Sequence, residues 1–189
     1  EMNLKTGEVI SCGPADKQFG DVGFEVSGSP EIKADFTLAV KLLHSFEYNE
    51  AEKVFAGILK KEPGLAMAYW GVAMSNFHPL WTPPTEAELK KGAKAIAIAQ
   101  GIEEKSAREA GYISALATFY KDWQTTDHRT RTLAFEKAME KLHKDFPTDK
   151  ETAVFYALAL VAAADPADKT FQKQKKAGNL LNSLYPDQP

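Results

Sequence analysis

Two histidines and the aromatic side chains around them are the residues of this sequence best equipped for chemistry. His44 closes the run "FTLAVKLLH" and His78 closes "YWGVAMSNFH". A shift of 34 residues lays Phe36 on Trp70, Val40 on Met74, Leu43 on Phe77 and His44 on His78. Residues three and four apart share a helix face, so this pattern predicts two imidazoles at matching heights on one surface, flanked by aromatics. An imidazole placed there can hydrogen-bond a ligand or bind a metal. The same spacing fits a second reading, in which both histidines cap helix C-termini against the core, where the helix dipole favours a protonated ring. Trp81, in "HPLWTPPT", sits on a proline-stiffened turn. It reads either as a lid over one end of that surface or as a ring packed beneath a loop.

Other chemistries find little support. A metal centre wants three or four ligands at suitable spacing, and neither a His-Glu-x-x-His nor a His-x-x-His pair is present. Imidazoles on successive helix pairs stand about a helix diameter apart, so they could flank a ligand but would not easily share one ion. No metal or cofactor is assigned. No nucleophile elbow, phosphate loop or dinucleotide fingerprint occurs. Cys12, the single cysteine, lies in a glycine-rich segment without a helical partner and makes a poor nucleophile. No catalytic residue is assigned. The segments "DHRTR" and "EKAMEKLHKDF" place His128, Arg129, Arg131 and His143 among alternating charges, as a solvated helix face would. Arg131 has an alternative reading, a buried ion pair with a carboxylate on a neighbouring helix.

These side chains need a scaffold, and composition bounds what it is. The 189 residues are 44% hydrophobic and 26% charged, with a formal net charge of −3. That balance suits a single globular domain or a short repeat array, and it offers no basic stripe for nucleic acid. No run approaches the roughly 18 apolar residues of a membrane helix.

Residues 1–31 form an irregular arm rich in glycine and proline. Within it Val22, Phe24 and Val26 alternate with polar or small residues, the period of a half-buried strand, and one short hairpin is expected. From residue 32 the pattern is helical. Eight helices are expected, at about 32–46, 49–61, 65–77, 85–103, 106–123, 127–145, 149–164 and 167–184. Their starts carry the pairs Asn49/Glu52, Thr85/Glu88, Ser106/Glu109 and Thr148/Glu151, each spaced as a capping box, and Asp165-Pro166 as a cap followed by proline. Stops fall at Pro63, Pro79, Pro147 and Pro186.

Short turns imply antiparallel neighbours. Together with the 34-residue shift and the Ala51, Phe55, Ile58 pattern before Pro63, they match the tetratricopeptide helix pair. The fold expected is all-α: a right-handed superhelical stack of about four such pairs over 32–64, 65–104, 105–148 and 149–186. In such a stack the first helix of each pair lines a concave face.

The segments "LLHSFEYNEAEKVF", "AMAYWGVAMSNFHPLWTPP", "REAGYISALATFYKDW" and "ETAVFYALALVAAADPADKTFQKQKKA" resemble a family of bacterial tetratricopeptide-like proteins of uncharacterised function. The motifs that carry the resemblance are Leu43-His44-Ser45-Phe46, Tyr69-Trp70-Gly71 and His78-Pro79-Leu80-Trp81. It implies an exported protein whose signal peptide precedes an arm like residues 1–31. It also implies a continuation, His-Pro-Gly and a histidine-rich region, beyond a segment like "LYPDQP". Gln188 stands where that histidine is expected, and the chain reads as the N-terminal part of a longer protein. The family often has a cysteine near Ser27–Ser29, where this sequence has Gly28.

The leading functional expectation is a binding module, not an enzyme. Its concave groove, lined by Phe36, Val40, Leu43, His44, Trp70, Met74, Phe77, His78 and Trp81, would hold a protein or peptide partner. The alternative is part of a metal-binding or enzymatic protein whose site is completed by a further C-terminal region.

Overall fold

A computed structural model describes residues 2–10, 20–80 and 82–187. They form eight α-helices and a closing 3-10 turn: α1 Pro30–His44, α2 Tyr48–Lys61, α3 Ala66–Ser75, α4 Glu86–Gly101, α5 Ala107–Tyr120, α6 His128–Asp145, α7 Lys150–Ala162 and α8 Gln172–Leu184, then Tyr185–Asp187. Among the described residues there is no strand. The eight expected helices are therefore present, seven of them within three residues of the expected ends. The exception is the start of α8. Asp165 does not cap a helix there; its carboxylate accepts from the Ala167 N–H in a turn, and α8 begins at Gln172 after Phe171 in the left-handed region.

Each helix packs on the next in sequence, and α3 also packs on both α1 and α5. The short turns between helices lay successive helices back along each other. Close approach depends on small residues. A Cβ placed on Gly71 would lie 2.3 Å from the ring of Phe55, which is fully buried between α2 and α3. Neither ring nor backbone has room to yield there. We predict that Gly71→Ala lowers the melting temperature by roughly 2–12 °C, through an overpacking cost of about 1–3 kcal/mol. A circular-dichroism melt checks this.

Helix starts follow the local signals only in part. Thr85 and Ser106 form complete capping boxes with Glu88 and Glu109. The Asn49/Glu52 and Thr148/Glu151 pairs do not. Glu47 and Asp149 take the cap positions, and Glu52 and Glu151 turn into the interior, 1% and 3% exposed. At the other end of α1, a Schellman closure stops the helix directly after His44. The Phe46 N–H donates to the Leu43 carbonyl and the Glu47 N–H to the Leu42 carbonyl, with Phe46 at φ 63°.

Candidate functional site

Each odd-numbered helix contributes one aromatic ring, near its middle, to a common point: Phe36 from α1, Trp70 from α3, Tyr112 from α5 and Phe155 from α7. At that point sits Phe24 of the arm. Its ring centroid lies 5.5 Å from Phe36, 5.6 Å from Trp70, 5.0 Å from Tyr112 and 6.3 Å from Phe155. Such separations suit tilted and edge-to-face aromatic pairs. The Arg108 guanidinium covers the outer side of Phe24 at 4.3 Å from its centroid, and it pairs with Asp149. The cage is closed between its first and last walls by His44, whose Nε2 lies 2.9 Å from the buried carboxylate of Glu151 and whose ring lies 4.9 Å from Phe155.

The arm crosses this face without helix or turn over residues 20–26 and bends at Ser27–Gly28. Val22 and Val26 are half-buried, Phe24 is buried, and Asp21, Gly23, Glu25 and Ser27 are exposed. The period-two alternation read from the sequence is thus real, but its partner is a helical surface and not a sheet. No hairpin forms in residues 2–10 or 20–29.

Glutamates fix the arm's main chain. Glu109 accepts from both the N–H and the hydroxyl of Ser27, each at 2.6 Å. Glu62 accepts from the Ser29 N–H at 3.1 Å, and Arg108 donates to the Glu25 carbonyl at 2.9 Å. Further up, Glu52 accepts from the Lys5 N–H at 2.9 Å and Glu50 from the Ile10 N–H at 2.7 Å. Three clefts of about 580, 570 and 480 Å³ flank residues 22–29, and the arm's own residues form a wall of each.

The electrostatics follow from burial. Burial alone would raise the Glu109 carboxyl, but the hydrogen bonds from Ser27 and Ser106 outweigh it and hold the group below the usual carboxylate range. A lowered folded-state pKa contributes stability that is present above the unfolded value, near pH 4.3, and is lost as pH falls through the folded one. Amide exchange at Ser27 is therefore expected to accelerate, relative to an unstructured peptide, below about pH 4. Hydrogen-exchange mass spectrometry across pH 3–7 reads this, and Ser27→Ala should shift the onset upward. Burial pushes the Tyr112 phenol well above its ordinary range, so it stays protonated.

The nine residues expected to line a groove divide. Phe36 and Trp70 form walls of the cage. Val40, Leu43, Met74 and Phe77 lie in the core, with Phe77 packed on Phe119 at 4.0 Å and Phe135 at 5.0 Å. The two histidines face different neighbours. His44 reaches α7, whereas His78 packs in a tilted pair with Tyr48 at 5.0 Å and lies 3.7 Å from Glu88. Trp81 and Cys12 fall outside the described residues. Among the described residues, no three His, Cys, Asp or Glu side chains come together as metal ligands would.

Arg131 belongs to neither expected class. It is 5% exposed, stacks over Phe119 at 4.6 Å and donates through Nε to the Thr126 carbonyl, while one terminal nitrogen has no partner. Burial, then the nearby Arg131 charge, lowers the pKa of His128.

Tyr112 and Phe155 were not singled out by periodicity. Their signal was available: an aromatic five to seven residues into every odd-numbered helix.

Fold and site together define an all-α protein of consecutive helix pairs whose odd-numbered helices grip an extended segment. The chain matches no family model, no curated protein and no solved structure. No helix of the described residues is long and apolar enough to cross a membrane.

Proposed function

We propose that the chain is a tetratricopeptide-like scaffold that binds an extended peptide, or an extended segment of a partner protein, on the face shared by its odd-numbered helices. One observation carries this reading: residues 22–27 lie there outside any helix, with alternate side chains turned to the helices, anchored by one aromatic and by a carboxylate and a guanidinium that address main-chain groups. Recognition of this kind takes affinity from an anchor in a pocket and register from backbone hydrogen bonds. A purely structural core has no need to hold a segment through its N–H and C=O groups, as side chains of α5 and the C-terminal end of α2 do here.

Phe36 and Trp70 are then binding walls. Val40, Leu43, Met74 and Phe77 support them from beneath, and His44 holds the first and last walls together.

The test is to pan a library of short random peptides against the full-length Phe24→Ala protein, in which the cage has lost its own occupant. Enriched peptides should slow amide exchange in α5 and at the start of α7. Failure to enrich any peptide that protects these helices would remove the proposal.

A further inference from the structure

The arm shows which ligand this face accepts. Resting on the reading above, we infer that the cage and Glu109 form a recognition site for an extended Phe-x-x-Ser segment, and that residues 22–27 occupy it in cis as a competitor for such a segment in trans.

The specificity follows from the contacts. The aromatic cage is closed on four sides by Phe36, Trp70, Tyr112 and Phe155, and Arg108 lies across the fifth, so a planar ring fits where a branched aliphatic chain would leave gaps. Three residues on, a single carboxylate takes both the N–H and the hydroxyl of Ser27. A residue at that place must therefore offer two donors. Alanine offers one, proline none, and a phosphoserine would set its negative charge against Glu109. The Glu25 carbonyl on Arg108 fixes the direction of the chain between these two points.

One feature makes the cis arm replaceable. The bonds that hold it at 22–27 end at Ser27, and Ser29 is held separately by Glu62, so the two grips are divided at Gly28. Tethering gives the arm an effective concentration on the order of millimolar, which sets what a trans ligand must overcome.

The experiment uses labelled peptide of residues 20–27, Gly-Asp-Val-Gly-Phe-Glu-Val-Ser, and fluorescence anisotropy with the full-length wild type and Phe24→Ala proteins. The expected result is binding to Phe24→Ala at least about tenfold tighter than to wild type. Changing the peptide's Phe to Ala, or its Ser to phosphoserine, should weaken binding to Phe24→Ala by a similar factor. Should Phe24→Ala not fold, Ser27→Ala loosens the arm while keeping its ring in place, and the same order of affinities is expected. Equal binding to wild type and variant, or indifference to the peptide's Phe and Ser, overturns the inference. If the random library yields peptides that protect α5 and α7 but lack this pattern, the binding face stands and only the inferred specificity falls. If neither library nor arm peptide binds, both fall.

Discussion

Phe24→Ala is expected to lower the melting temperature by roughly 10 °C and to free residues 20–27 for rapid amide exchange. The magnitude follows from where the ring sits. Phe24 is 6% exposed and touches aromatic rings from four helices. Truncating a buried phenylalanine costs about 3–5 kcal/mol when the surroundings cannot collapse into the space. Collapse is hindered here, because the four walls belong to helices already fixed by their packing on the even-numbered helices. For a domain of this size, each kcal/mol shifts the melting temperature by about 2–4 °C. The loss has a ceiling: once the arm detaches, no further energy is lost from it. A helical core that melts only slightly lower, with an arm that exchanges freely, would mean that the arm is weakly held. An unchanged melt together with unchanged exchange would mean that Phe24 is not seated in the cage at all.

Glu52→Ala is the second large effect. This carboxylate, 1% exposed, accepts from the Lys5 N–H, from Asn76 Nδ2 at 3.0 Å and from Lys91 Nζ at 2.7 and 3.0 Å. It therefore ties the arm, α2, α3 and α4 at one point. Removing it leaves the Lys91 ammonium and the buried Asn76 amide without their shared acceptor. Breaking a buried pair by deleting one partner costs about 3–5 kcal/mol. Lys91 keeps 14% of its side chain exposed and can reach water, which places the expected loss near the lower end, about 3 kcal/mol. Urea denaturation should show a lower midpoint with an unchanged slope. Glu52→Gln keeps an acceptor for Lys5 and Asn76 and should fall between wild type and Ala. If Gln is as damaging as Ala, the charge on Lys91 dominates; if Ala is harmless, the network does not hold the arm.

What the sequence determined by itself is the part governed by neighbours a few residues away. Helix periodicity, the Thr85/Glu88 and Ser106/Glu109 capping boxes and the alternation of Val22, Phe24 and Val26 all rest on contacts within about four residues, so composition and spacing suffice to read them. The equivalence of Phe36 with Trp70 was legible for the same reason, as a repeated local pattern. The tertiary structure alone decided the rest. Glu52 and Glu151 each had a local use, capping their own helix, and a distant one, 47 residues away at Lys5 and 107 away at His44. At Glu151 the distant use prevails while Asp149 caps α7 in its place; at Glu52 it prevails although Glu47 makes no side-chain cap, because the buried Asn76 amide left without its acceptor costs more than a helix cap. Arg131 left the solvated face because Phe119 and the Thr126 carbonyl offered its guanidinium a buried seat that no charge pattern reveals. Alternation along the arm specifies only that one side is covered, which a strand and a segment laid on helices satisfy equally. Which surface covers it depends on four helices converging around one ring, and that convergence exists only once the chain has folded.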